Sequence, residues 1–207
     1  MGCAYMKFRP LRALFAAFAL LTAGPALAQN FSDGYEFLKA VRAEDGTKIM
    51  TFLREPGNRV IESRDPATGE TALHIVTKAR NDVYLRFFLQ QDGVNPNAQD
   101  RQGNSAMLLA VNGNFPEGVA ILIRYRANVN IANSSGETPL IRAVQLRNVD
   151  MVRVLLAANA NPDQPDTIAG MSARDYAMQD TRSPTIRRLL TEAPRGGGTG
   201  NVAGPGL

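Results

Sequence analysis

The chain has 207 residues, 44% hydrophobic and 20% charged, a length that suits one or two compact domains. A single cysteine, Cys3, and a single histidine, His74, exclude a disulfide framework, a thiolate metal site and cysteine–histidine catalysis. The formal charge of +4 comes largely from Lys7, Arg9 and Arg12; setting these aside with Met1–Ala28 leaves the basic groups almost balanced by the 19 acidic ones, so the charge is no nucleic-acid signature.

Residues 1–28 read as a Sec-type signal peptide. A basic stretch precedes an apolar run, Ala13 to Ala23, that is too short to span a bilayer, and Ala26-Leu27-Ala28 gives a small-residue cleavage site. Cleavage after Ala28 removes Cys3 and leaves Gln29 first, which predicts a periplasmic or secreted protein with no membrane insertion. Residues 29–34 read as a short polar leader. Phe37, Leu38, Ala40 and Val41, then Ile49, Phe52 and Leu53 after Asp45-Gly46, predict two helices of a half-degenerate unit over 35–63, closed by Pro56-Gly57.

From Gly69 a motif returns at near-constant spacing: Gly69-Glu70-Thr71, Gly103-Asn104-Ser105, Gly136-Glu137-Thr138 and, weakly, Gly170-Met171-Ser172. A fixed period of this size means stacked supersecondary units. The Thr or Ser predicts the cap of a short helix. A second helix then carries a leucine-rich face: Leu85, Phe87, Phe88, Leu89; then Val119, Ile121, Leu122, Ile123; then Met151, Val152, Val154, Leu155, Leu156. Pro116 and Pro184 stand where second helices begin, a position that tolerates a missing N–H. The units run over 64–98, 99–131, 132–163 and 164–193. Polar turn-forming ends at Gly93–Ala98, Ala127–Asn130 and Ala160–Asp163 are expected to supply left-handed turns through their Gly and Asn residues. Residues 194–207, rich in glycine, read as a flexible tail.

These residues resemble the ankyrin repeat. The run Asp100, Gly103, Ala110, Leu122-Ile123, Ala127-Asn128-Val129-Asn130 and the run Thr138-Pro139-Leu140, Ala143, Val152, Leu155-Leu156, Ala160-Asn161 carry the likeness without gaps. The 64–98 unit has a longer tip at Asp65–Gly69 and an extra residue near Gln90–Asp92. The last unit departs at Arg174, where an apolar residue is expected, as suits a terminal repeat whose outer face meets water. The resemblance covers about 160 residues and implies an all-α solenoid of helix-turn-helix units with projecting turns. It implies that His74 hydrogen-bonds Thr71 and nearby backbone.

Chemistry is sparse. Gly196–Gly200 lacks the Lys-Ser/Thr end of a phosphate loop, and Asn133-Ser134-Ser135 matches a glycosylation pattern too short to carry an assignment. Asp163, Asp166, Asp175 and Asp180 lack calcium-loop spacing and read as solvated turn residues. Arg182, Arg187, Arg188 and Arg195 make the C-terminal end basic; with no aromatic ladder among them, single-stranded nucleic acid is no partner. The resemblance implies no enzyme and no cofactor, but a monomer that binds another protein on a concave face of turn tips and first helices. The residues at those positions are Thr68, Glu70, Lys78 and Ala79; Arg101, Gln102, Asn104, Asn112 and Gly113; Ser134, Ser135, Glu137, Gln145 and Leu146; Ile168 and Met171. Arg101, Leu146, Ile168 and Met171 are the expected anchors, with Tyr125 on the second-helix side a weaker one. A periplasmic scaffold is the first expectation. A secreted effector engaging host proteins and a protective partner of a periplasmic antioxidant enzyme stand as alternatives.

Overall fold

The computed structural model describes residues 24–55 and 59–195, with side chains described from Asp33 onward. Residues 1–23, most of the expected signal peptide, lie outside the described residues, as do Pro56-Gly57 and the tail beyond residue 195. Among the described residues, ten helices form five antiparallel pairs: α1 (Gly24–Arg42) with α2 (Gly46–Arg54), α3 (Ala72–Lys78) with α4 (Asp82–Leu89), α5 (Ala106–Asn112) with α6 (Pro116–Arg124), α7 (Pro139–Gln145) with α8 (Val149–Ala157), and α9 (Ala173–Gln179) with α10 (Pro184–Glu192). Helix α1 runs through residues 29–34, the expected leader, and continues into the first unit. A 3-10 turn at Val60–Glu62, which the sequence pattern did not reveal, precedes the first finger.

Each first helix is only seven residues long from α3 onward, too short to stand alone, and is fixed at its start by a side-chain cap and along its length by its neighbours. Ser105 Oγ accepts from the Leu108 N–H at 3.3 Å, Thr138 Oγ1 from Ile141 at 3.2 Å and Ser172 Oγ from Asp175 at 3.2 Å. At Thr71 the partner is His74 instead. Ala72, Ala106, Ala110, Ala143, Ala173 and Ala177 are all buried. These small side chains let successive first helices stack more closely than the second helices do. That difference curves the row so that first helices line the concave side. One continuous apolar core runs from Phe37 and Leu38 to Ile186 and Leu190.

The left-handed backbone falls on Gly93, within the first expected turn, but after the other second helices it sits on Arg126 and Asn159 and not on Asn128 or Asn161; between paired helices it falls on Glu44, Arg80, Asn114 and Arg147. The reason is that the Asn side chains are engaged as acceptors. Asn95, Asn128 and Asn161 each hold the N–H two residues on, at 2.9 Å. Asn97 Oδ1 then accepts from the Asn128 N–H and Asn130 Oδ1 from the Asn161 N–H, both at 2.7 Å, forming a ladder between repeats. Val154, expected on the core face of α8, is instead exposed.

Between each pair the chain projects a finger. Its tip glycines, Gly69, Gly103, Gly136 and Gly170, all have positive φ. Arg101 donates its N–H to the Thr68 carbonyl at 2.9 Å, Ser134 to Gln102 at 2.9 Å, and Thr167 to Ser135 at 3.0 Å. The fingers thus form a hydrogen-bonded rank.

Candidate functional site: the concave face

His74 locks two units together. Its Nδ1 meets the Thr71 N–H at 3.1 Å and the Thr71 hydroxyl at 2.8 Å, while Nε2 lies 2.9 Å from the Asn104 carbonyl. A donor at Nδ1 places the proton on Nε2, which donates to Asn104 across 30 residues of sequence. The ring is fully buried, and burial pushes its pKa below the usual histidine value. This is the structural role that the resemblance implied.

The expected binding residues divide into three groups along the concave face. At the α1/α3 end Glu70 is only 8% exposed, so it is a buried partner and not a contact residue. Lys78 Nζ donates to it at 2.7 Å, with Arg42 at 4.0 Å. Arg42 also pairs with Asp65 at 2.5 Å; that carboxylate, held by the N–H groups of Thr68 and Ala67 and then by Arg42, is pulled down to about 2.

The centre is a polar network built around Arg142. Its guanidinium donates to Asn112 Oδ1 at 2.8 and 2.6 Å and lies 3.5 Å from Gln145 Oε1 and 3.7 Å from Glu137. Asn104 is half-buried and occupied in the same way, donating to Asp100 at 3.0 Å while its carbonyl holds His74. Ser135 is half-buried, and its carbonyl is taken by Thr167. Arg101, Gln102 and Ser134 are exposed at the tips, as are Thr68 at the neighbouring tip and Asn112, Gln145, Lys78 and Ala79 at the ends of first helices; Gly113 is half-buried.

The α7/α9 end sets three apolar groups among polar ones. Leu146 and Ile168 are exposed, and Met171 is half-buried with its sulfur 3.4 Å from Gln179 Nε2. Between α7 and α9 lies a cleft of about 420 Å³, lined by Val144, Gln145, Arg147, Tyr176, Gln179 and Arg182 among others. The Tyr176 hydroxyl donates to Asp166 at 2.5 Å; that bond lowers the pKa of the aspartate and raises that of the tyrosine.

Arg42, Arg142 and Tyr176 were missed as concave residues. Lys39, Ile75, Leu109, Arg142 and Tyr176 share one register, so the change from Ile75 and Leu109 to Arg142 was a readable signal. Tyr125, the weaker candidate, accepts from Gln90 at 2.9 Å between second helices.

The four aspartates expected to be solvated are mostly structural. Asp163 pairs with Arg174 at 2.6 Å, and Arg174 also reaches the carbonyls of Leu190 and Ala193, which explains an arginine in an otherwise apolar position. Asp166 is buried and accepts from the N–H groups of Ile168, Ala169 and Gly170. Asp175 closes a capping box with Ser172, and Asp180 binds Arg147 at 2.6 Å and Arg182 at 3.3 Å. Among the described residues, no group of three or more His, Cys, Asp or Glu is placed to hold a metal ion. No helix among the described residues is long and apolar enough to cross a membrane.

Stacked helix pairs, a ranked row of fingers and a concave surface of exposed residues define a repeat-array binding protein. The family model for ankyrin repeats matches in three overlapping copies, over residues 37–133, 85–166 and 113–195, and the chain belongs to that family. Among its relatives, neurogenic locus notch homolog protein 1 of Danio rerio is 34% identical over 131 residues, 62% of this chain and 5% of the relative. The mouse B-cell lymphoma 3 protein homolog is 29% identical over 126 residues, 59% of this chain and 28% of its own. Human BCL-6 corepressor-like protein 1 is 29% identical over 156 residues, 74% of this chain and 8% of its own. The chain thus spans under a third of the length of these curated relatives. Ankyrin repeats mark a protein–protein interaction module.

Proposed function

We infer that this chain is a non-enzymatic scaffold that captures another protein, without a cofactor, on its concave face, and that it acts in the periplasm after signal cleavage. One observation carries the first part. The repeat's turn, cap and core residues are engaged with one another, whereas Arg101, Gln102, Ser134, Gln145, Leu146 and Ile168 stand exposed along the fingers and first-helix ends. Leu146 and Ile168 at the α7/α9 end supply anchors, and the polar centre supplies orientation. The periplasmic part is supported by the order of basic stretch, apolar run and Ala-x-Ala within Met1–Ala28.

The test is affinity capture from osmotic-shock fluid with the wild-type chain and with Arg101→Glu/Leu146→Glu. Both positions are exposed and, among the described residues, no side-chain hydrogen bond or ion pair involves them, so the circular dichroism spectrum is expected to stay unchanged. The expected result is a partner retained by the wild type and lost from the double variant. Equal retention by both rejects the concave face, and recovery of the chain only in culture medium rejects the periplasmic location.

A further inference from the structure

The rank of fingers ends in an open register. Each finger turns on an aspartate or asparagine, and the residue after it donates its N–H to the preceding finger: Arg101 to Thr68, Ser134 to Gln102, Thr167 to Ser135. The acceptor is always the residue before the tip glycine. In the fourth and last finger that residue is Ala169, and no described residue donates to its carbonyl. A Cβ on Gly69, Gly103 or Gly136 would sit 2.9, 2.6 or 2.5 Å from the backbone nitrogen of the next finger. A Cβ on Gly170 meets nothing within 4 Å. The backbone at Gly170 keeps the same left-handed shape, with the same space, but without the neighbour.

The adjacent helix face is only partly closed. Met178 is 43% exposed, whereas Val144, Val111 and Thr77 in the same register are buried by the following first helix. Beside the finger edge Ile168 is 80% exposed. Asp175 takes the register of Ile141, Leu108 and His74, all buried. A carboxylate there opposes the stacking of another complete repeat, which would bury a charge held only by the Ser172 N–H and hydroxyl. A second copy of this chain is also a poor occupant. Its first finger carries Pro66 in the donor position, with no N–H, and the N–H groups of Ala67 and Thr68 are held by Asp65. The N-terminal edge is therefore blunted while the C-terminal edge is open.

We propose that the edge of the fourth finger, Ile168–Gly170, together with Met178 on α9, receives an extended segment of a different protein. The segment donates one backbone N–H to the Ala169 carbonyl, continuing the finger rank, and covers Ile168 and Met178 with apolar side chains. The residue that donates is not proline. The proposal rests on the reading of the chain as a protein-binding module, but at a site apart from the concave centre.

The test uses the full chain and a phage-displayed library of short random linear peptides, followed by titration of a selected synthetic peptide. Gly170→Asn keeps a residue that tolerates the left-handed backbone, and its side chain enters open space in the free protein. Met178→Glu is a second variant, on an exposed position, should the first disturb the finger. The expected result is that each weakens the peptide by about tenfold or more, as does N-methylation of one peptide amide, while Arg101→Glu/Leu146→Glu changes binding less than about twofold. Selected peptides that bind Gly170→Asn and Met178→Glu as they bind the wild type overturn the proposal. Peptides lost only from the concave double variant also overturn it and leave the concave reading standing. A library that yields no binder to the wild type overturns the edge site and counts against the module reading as well.

Discussion

Replacing Gly136 by alanine places a methyl group 2.5 Å from the Thr167 nitrogen and 2.9 Å from the Cα and carbonyl carbon of Asp166. Those atoms are backbone, so they yield only if the third and fourth fingers separate. The φ of +74° adds the left-handed cost of an L-residue, roughly 1–2 kcal/mol. Separation also weakens the Thr167-to-Ser135 hydrogen bond, worth about 0.5–1.5 kcal/mol. Against this, alanine restricts the unfolded chain and returns roughly 0.4–1 kcal/mol. The net destabilisation is about 1–2.5 kcal/mol. Gly170→Ala carries the same backbone cost, at φ +66°, but has no neighbour to displace, so its net effect is about 0.5–1 kcal/mol. Urea unfolding followed by circular dichroism compares the two, with Gly103→Ala expected to group with Gly136→Ala. Equal midpoint shifts for Gly136→Ala and Gly170→Ala would refute finger stacking as the reason for these glycines.

His74 has a folded pKa below its unfolded value near 6.5, so its contribution is fully present above that value and declines as pH falls below it, until the folded pKa is reached. His74→Leu should flatten that part of a pH–stability curve at a cost of about 1–3 kcal/mol at neutral pH; an unchanged slope would contradict the buried neutral ring. Asp65, held at about 2 against an ordinary 3.8, loses its contribution as pH falls through that interval, and Asp65→Asn should remove this acid component from the same titration. Arg126→Gly relieves a left-handed arginine at φ +59° and should raise the melting temperature by a few degrees, whereas a lower one would contradict the strain.

The repeat was legible because turn, cap and core demands recur at fixed spacing. The caps at Ser105, Thr138 and Ser172 and the proline starts at Pro116 and Pro184 follow from local chemistry alone. What escaped depends on contacts between units. Glu70 reads as a free finger charge until Lys78 and Arg42 close over it. Asn128 and Asn161 read as left-handed turn formers until their backbone N–H groups are seen to complete the ladder from Asn97 and Asn130. The register of Arg142 was legible, but its partner was not: Asn112, 30 residues away, comes within 2.6 Å. The exposed contact positions are those that neither turn nor core constrains, so their sequence locates a surface without naming what it binds.

Site-specific photocrosslinking in living cells tests binding through the concave face most directly. A photoreactive residue replaces Gln145 or Leu146 at first-helix ends, or Val83 or Val154, exposed on the second helices. The expected result is a discrete protein adduct from Gln145 and Leu146 and none from Val83 or Val154. Adducts from the second-helix positions alone would contradict a concave binding face.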